Sequence, residues 1–383
     1  MKKILILQNG QYFGGAERAL LNFLEYTNEK EKFEIYSFEK RDYLKYFEDI
    51  GIEVNFPNPV VLRIGEFFYK NLKGGWVLQE LLRALAVVFY VFQSRFSRVH
   101  VNMAFKYMNF HLSLIKLSQT KISIHIRSLI AQVRLSDSIL KKCDKCICVS
   151  DCVAQQYRKV YPHDADKFFV IYDGVYPADG IFFADRSADH FIFLAPAVLD
   201  HRKGVDVVIT AFHEFIQVNG STEATLLIAG TSSLASTNYY QYLVELVSDL
   251  KLKDRVIFLG HVEDMRSLYQ RANVVLMLSR DGEALGLVGI EAHIMSCLLI
   301  APNYGAIGEY LTDMSTGLVV THIDPRLVAE KMTYAYINWS HTRQIRVNAF
   351  EGAVQKFSVE KTSEELLSFF MGKNLTKEAI TSD

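Results

Sequence analysis

The sequence predicts an α/β chain built as two doubly wound, Rossmann-like domains facing a cleft, on three observations. The chain has 383 residues, about 2.6 times a typical domain length, which calls for two cores. Short apolar runs alternate with helix-length stretches, the pattern of a mainly parallel sheet covered on both faces. That rhythm stops near the middle of the chain and then starts again.

The elements follow in order. Ile4 to Leu7 reads as the first strand, followed by a glycine-rich turn and a helix from Ala16 to Thr27. Phe33 to Phe38, a helix around Tyr43 to Ile50 and Glu53 to Phe56 repeat the unit. After a long insertion come strands at Arg98 to Val101, Ile122 to Ile126 and Cys146 to Val149. Pro177, Gly180 and the polar residues through Ser187 and Asp189 read as a linker. Strands are then expected at Phe191 to Leu194, Thr225 to Ile228, Val256 to Leu259, Val274 to Leu278 and Leu298 to Ile300. Helices are expected at Gly204 to Phe215, Tyr239 to Leu250, Leu287 to Met295 and Pro325 to Ala335. The expected domains are 1–180 and 181–355, with 356–383 a helix returning toward the first domain and then a frayed tail from Asn374. Ligands of such sheets bind outside the carboxyl ends of the strands, so the cleft between the domains is the expected site.

Composition narrows the function. Half of the residues are apolar and 22% are charged, enough to build cores and too apolar for a disordered chain. The 42 basic residues nearly cancel the 43 acidic ones, so a nucleic-acid partner is not expected. Cys143 and Cys146 form a CxxC pair, but Cys146 and Cys148 lie on an apolar strand and no second pair follows. Buried thiols in a reducing compartment are therefore expected rather than a zinc site. The apolar part of the amino terminus is too short for a signal peptide. The run Ala84 to Phe92 has nine apolar residues against the roughly 18 a span needs, so the chain is expected not to cross a bilayer.

Three segments carry chemistry. Gly14-Gly15-Ala16-Glu17-Arg18 follows the first strand, where glycines let a ligand approach the backbone and a helix start offers N–H groups. A plain tight turn explains it equally, and it is not the GxGxxG fingerprint of dehydrogenases. Asp200-His201-Arg202-Lys203-Gly204 puts two cations at a strand end beside a helix start, which suits a diphosphate or is simply a solvated loop. The third segment, Ser279 through Glu291, leaves a strand, passes Gly286 and Gly289, and enters a helix with Glu291 about one turn inside. Glu283 and Glu291 are expected to face one cleft, where carboxylates accept hydrogen bonds from sugar hydroxyls. Glu291 has apolar neighbours at Val288, Ile290, Ala292 and Ile294, so it needs a partner.

In their joint order these segments resemble the retaining glycosyltransferases of GT-B type, the glycosyl transferases group 1 or family 4. The Glu283-to-Glu291 spacing and Gly286-Leu287-Val288 match that family's signature. The likeness extends to Lys203-Gly204, Ile228-Ala229-Gly230, Phe258-Leu259-Gly260-His261, Gly305 to Glu309 and Thr316 to Val320. In the first half it takes in Gly14 to Arg18, His125, Cys148-Val149-Ser150 and Tyr172 to Val175. Only about residues 60 to 95 stand outside it.

The resemblance implies roles. Glu291 would hold the ribose of a nucleotide-sugar donor, Glu283 the hydroxyls of the transferred sugar, and Lys203 the diphosphate, aided by Arg202. Gly15, Gly260, Gly286, Leu287 and Val288 would approach the donor, Ser279 and Arg280 would frame the nucleotide, and His125 would stabilise the transition state. His125 equally reads as a histidine packed at a strand end. Departures are Val198 for an arginine, Ala284 and Ala306 for glycines, Ser296 and Leu298 for Gly and Pro, and Asp173 for Asn.

The implied reaction moves a sugar from a nucleotide-sugar, UDP-linked by default, to a glycan or lipid-linked acceptor in cell-surface polysaccharide assembly. Configuration would be retained, with no cofactor and no metal, since no Asp-x-Asp motif is evident and Lys203 with Arg202 can replace a divalent ion electrostatically. The alternatives are a nucleotide-sugar epimerase of the same fold and a non-catalytic nucleotide-sugar-binding partner subunit. The insertion from Arg63 to Arg98 mixes basic residues with Phe67, Phe68, Tyr69 and Trp76, which suits docking on an anionic bilayer. Ala84 to Phe92 equally reads as one buried core helix. The expected location is cytoplasmic, peripheral on the inner face of the membrane.

Overall fold

The computed structural model describes residues 3–105, 107–178, 190–220, 223–232 and 237–373. The chain forms two compact units, Met1–Gly174 with Val359–Asp383, and Val175–Ser358. The linker residues 180–189, and with them the expected boundary at 180/181, lie outside the described residues, as does the tail from Asn374.

The first unit holds seven strands: β1 (Ile4–Leu7), β2 (Phe33–Tyr36), β3 (Glu53–Asn55), β4 (Arg98–Val101), β5 (Lys121–Ile126), β6 (Lys145–Cys148) and β7 (Phe168–Val170). Their order is β3-β2-β1-β4-β5-β6-β7, and every pairing is parallel. The second unit holds β8 (Ile192–Pro196), β9 (Thr225–Ala229), β10 (Val256–Gly260), β11 (Val274–Leu276), β12 (Leu298–Pro302) and β13 (Leu318–Val320), in the parallel order β10-β9-β8-β11-β12-β13. Each sheet reverses its winding once, between β1 and β4 and between β8 and β11. Those switch points are where an open α/β sheet leaves a crevice.

Both faces of the second sheet are buried, with alternate residues going to opposite sides. Phe193, Leu226 and Ile300 join one core cluster, whereas Leu194, Leu227 and Leu299 join the other. In the first unit Ile4, Ile6, Phe33 and Ile35 meet Phe23 and Leu24 of helix Gly15–Tyr26 and Phe369 and Phe370 of helix Val359–Phe370. Thr362 ties that last helix to the end of β7 by donating to the Tyr172 carbonyl at 2.9 Å.

The insertion forms two helices, Pro59–Asn71 and Gly75–Ser94, packed against each other. Asn58 caps the first, accepting from the Val60 amide at 2.9 Å, with Pro59 at its first position. The second is not the core helix its composition allowed. Ala84, Val87 and Val91 are buried, but Leu85, Phe89 and Phe92 are exposed. At 20 residues and mean hydropathy 1.5 it has the length and composition of a membrane span, beyond what the nine-residue run indicated. All five cysteines are thiols, and Cys143, Cys146, Cys148 and Cys297 are buried.

Candidate active site

In the second unit, the loops leaving β8 and β11 at the switch point build a cluster of opposite charges. After β8 the chain makes a single turn at His201–Lys203, where Asp200 accepts the Arg202 amide at 2.9 Å. That turn delivers Lys203 to Glu283, Nζ to Oε1 at 2.5 Å, while Ser279 donates its hydroxyl to the same oxygen. Arg202 points elsewhere, half exposed and paired with Asp200 at 3.0 Å.

Two further devices hold Glu283. Its carbonyl accepts the Ala306 amide at 2.9 Å, and Glu283 bridges Gly305 in parallel register. Gly305 has φ +63°, and a Cβ there would lie 2.4 Å from the Glu283 carbonyl oxygen, so only glycine fits. Beyond Glu283, Gly286 precedes helix Leu287–Ile294 without a side-chain cap, and Tyr310 donates to the Gly286 carbonyl at 3.0 Å. The Gly289 amide donates to the Gly286 carbonyl at 2.9 Å, while the Leu287 and Val288 amides at the first two helical positions lack intrahelical acceptors by geometry.

Arg280 is held differently from the expectation that it frames a nucleotide. Its guanidinium grips Asp206 in two hydrogen bonds, 2.9 and 2.7 Å, and also donates to the His201 carbonyl. Burial alone would raise the Asp206 pKa, but hydrogen bonds from Arg280 and Tyr239 outweigh it and hold the carboxyl below its usual range. This lock ties the loop after β11 to the helix after Lys203. Sequence reasoning missed Asp206 and Tyr239, because nothing in the local pattern links positions 206, 239 and 280.

Glu291 finds the partner its apolar neighbours demanded in Tyr269, whose hydroxyl donates at 2.7 Å. Tyr269 had drawn no attention in the sequence. Leu287 and Val288 lie in the first turn of the helix and are partly exposed, and Gly260 ends β10 with open space around it. The structure thus brings Lys203, Ser279 and Glu283 together, with Ala306 and Gly305 as support.

The first unit holds Gly15 and His125. Gly15 opens helix Gly15–Tyr26, where Glu17 folds back to accept the Gly14 amide at 3.0 Å. Glu17 also accepts from Gln8 at 2.9 Å, Gln8 accepts from Asn102 at 2.7 Å, and the Asn102 side-chain oxygen accepts from Arg127 at 3.3 Å. Arg127 is ion-paired with Asp173, the aspartate that stands where the resemblance leads one to expect asparagine. This polar chain crosses the carboxyl ends of β1, β4 and β5.

His125 is 3% exposed, with Nδ1 at 3.1 Å from the Arg127 guanidinium. A guanidinium can only donate, so Nδ1 accepts and the ring proton sits on Nε2, a buried atom without a hydrogen-bond partner. Burial first, then the charge of Arg127, hold the His125 pKa well below its usual value. His125 is therefore a neutral donor. Among the described residues no group of three or more His, Cys, Asp or Glu side chains is placed to hold a metal ion.

Two parallel, doubly wound units, each with a polar cluster at its switch point, define the GT-B class of fold. Two family models match consecutive stretches that together take in most of the chain: Glycosyltransferase Family 4 over residues 13–179 and Glycosyl transferases group 1 over 181–352. The chain belongs to this glycosyltransferase family. An uncharacterised glycosyltransferase of Methanocaldococcus jannaschii is 23% identical over 238 residues, 58% of this chain and 59% of that protein. The lipopolysaccharide core biosynthesis mannosyltransferase of Rhizobium leguminosarum bv. viciae is 31% identical over 124 residues, 32% of this chain and 34% of that protein. The matched stretches thus span less than two thirds of these relatives' length. Anabaena HepE, solved with UDP-glucose, has a TM-score of 0.77 at 19% identity over 97% of this chain and 100% of its own. A glycosyltransferase from Rickettsia africae ESF-5 has a TM-score of 0.76 at 20% identity over 100% and 99%.

Proposed function

We propose that this protein is a retaining, metal-independent glycosyltransferase that moves a sugar from a UDP-sugar to a glycan or lipid-linked acceptor in cell-surface polysaccharide assembly. The observation that carries the reading is the Lys203–Glu283 pair, 2.5 Å apart at a switch point and beside the uncapped start of helix Leu287–Ile294. A cation and free helix-terminal amides are what a departing nucleoside diphosphate needs to spread its developing charge. Glu283 accepts from sugar hydroxyls once Lys203 turns to the diphosphate, with Arg202 adding a second charge. Glu291 holds the ribose. Attack comes from the face the leaving group vacates: the acceptor oxygen bonds to the anomeric carbon, and its proton goes to the departing phosphate oxygen. The UDP-glucose bound by HepE supports a uridine donor by likeness of fold.

The helices of the insertion support a peripheral position on the cytoplasmic face of a membrane. Ile64, Phe67, Leu85, Phe89 and Phe92 are exposed there, with Arg63, Lys70 and Lys73 nearby in the chain. The test of the main reading is a product-resolved turnover screen of UDP-, GDP- and ADP-sugars in chelator, with Lys203→Ala and Glu283→Ala in parallel. Slow release of nucleotide from one donor, reduced by about 10²-fold or more in both variants, is the expected result. Binding without turnover in any acceptor mixture favours the partner subunit, and isomerised donor favours the epimerase. Activity that requires added magnesium or manganese refutes metal independence.

A further inference from the structure

The opposite end of the first sheet, where β4 begins at Arg98 and β5 at Lys121, borders a cavity of about 770 Å³. Arg95, Arg98 and Lys121 line it together with Thr120, and Phe92 and Phe370 supply an apolar wall. Arg98 is only 5% exposed. Its guanidinium lies over the Phe369 ring at 5.1 Å, and neither Nε nor Nη1 has a hydrogen-bond partner. Buried guanidinium groups are ordinarily paired, because an uncompensated charge costs several kcal/mol. The acidic group that acts on Arg98 is Asp144, which is already engaged with Lys116 at 3.1 and 3.3 Å and with the Ile122 amide at 2.7 Å. Burial accordingly lowers the Arg98 pKa, with Asp144 opposing. Lys145 is lowered too, by burial and then by Arg98 and Lys121. Arg98, Lys121 and Lys145 thus gather near one carboxylate, Asp144, that is already engaged.

We propose that this cavity binds the phosphate group of an organic phosphate ester, with Arg98 as the buried charge, Arg95 and Lys121 as flanking charges, and the organic part against Phe92 and Phe370. The Arg98 guanidinium lines the cavity and lacks acceptors at Nε and Nη1, so its charge is open to compensation by a phosphate oxygen. The volume is in the range of small-molecule sites and exceeds the needs of a bare anion, and the aromatic wall calls for a larger group. The site is independent of the proposed transfer reaction, since it lies at the amino-terminal edge of the sheet and Asn102 and Arg127 follow the carboxyl ends of β4 and β5.

The test is thermal unfolding of the full chain titrated with inorganic phosphate and with sn-glycerol 3-phosphate. It is run in wild type and in Lys203→Ala, which removes the expected diphosphate contact. A saturable rise in melting temperature in both proteins is expected, with glycerol 3-phosphate acting at about tenfold lower concentration. Arg98→Met and Lys121→Met are each expected to weaken the response about tenfold or more. Without phosphate, Arg98→Met melts no lower than wild type, because it removes an unpaired buried charge. Should Arg98→Met fail to fold, Lys121→Met alone decides. Co-sedimentation with vesicles of equimolar phosphatidate and phosphatidylcholine, against phosphatidylcholine alone, separates the two sources of the group. Phosphatidate-dependent binding lost in the variants, without a glycerol 3-phosphate response, assigns a lipid phosphate; the reverse assigns a soluble ester. No response to any probe, or one unchanged in both charge variants, overturns the proposal.

Discussion

Replacing Gly305 with alanine tests whether the Glu283 peptide is held where the structure puts it. Two costs add. The backbone at Gly305 has φ +63° and ψ −134°, a conformation alanine adopts only at about 1–3 kcal/mol. The new methyl would also stand 2.4 Å from the Glu283 carbonyl oxygen and 3.1 Å from its amide nitrogen. Restoring ordinary contact moves that peptide by about 1 Å, and such overpacking costs about 1–3 kcal/mol more. The hydrogen bond from Ala306 to the same carbonyl, 2.9 Å long, opposes the movement. A displacement of about 1 Å at a group that positions substrate lowers turnover by about 10²-fold. Gly51→Ala is the control, because Gly51 has φ +84° with nothing within 4 Å of the added methyl. It is expected to lose about 1–2 kcal/mol of stability and keep its turnover. The assay is thermal unfolding together with donor turnover on the purified variants. A Gly305→Ala protein with the stability loss of the control and full turnover would refute the proposed support of Glu283.

Three other outcomes are expected. Ser296 has φ +55° at a position where glycine is common in the family, so Ser296→Gly should gain stability. Relief of about 1–2 kcal/mol of strain, less about 0.4–1 kcal/mol of added chain entropy, leaves a small positive shift, read from the denaturant midpoint. His293 is buried inside helix Leu287–Ile294 and its pKa is pushed down to about 3 by burial. Between about pH 6.5 and 3 the unfolded chain takes up this proton and the folded one does not, so stability falls by about 1.4 kcal/mol per pH unit as the solution is acidified. His293→Gln should flatten the fall in melting temperature between pH 6.5 and 5, and an unchanged slope counts against a neutral buried imidazole. Asp206→Asn should loosen the Arg280 lock and raise the KM for donor several-fold, with turnover at saturation much less affected; unaltered kinetics would show that the loop stays in place without it.

The sequence announced the two sheets because parallel strands buried on both faces are written as apolar runs. Every expected strand formed, with ends shifted by at most two residues. The two strands left unrecognised, β7 and β13, are three residues each and lie at sheet edges, where a short run such as Phe168-Phe169-Val170 carries little periodicity. The insertion was expected to offer a basic and aromatic surface or one core helix, and it forms a helix pair, Pro59–Asn71 and Gly75–Ser94. In the candidate site, Lys203 and Glu283 stood out as loop charges at strand ends, with their roles implied by the family resemblance, and the structure pairs them. The contacts that hold their surroundings, Asp206 with Arg280 and Tyr269 with Glu291, join residues 74 and 22 positions apart. No local spacing encodes such pairs. The same holds for Asp173, which looked like a simple departure until Arg127 was found beside it.

The last helix also bears on how the protein is made. Unit Val175–Ser358 is inserted between the body of the first unit and the helix Val359–Phe370 that completes it. The two crossings run side by side, with Val175 bridging Ser358, and a side chain on Gly174 would meet the Val359 Cα at 2.7 Å. During synthesis the inserted unit leaves the ribosome whole and can fold as it emerges. The first unit, although translated earlier, waits with Phe23 and Phe33 lacking the Phe370 ring that packs within 6.0 and 5.6 Å of them. A ribosome that stalls after Ser358 therefore releases a chain whose second unit is finished and whose first still exposes a greasy groove, a ready substrate for chaperones.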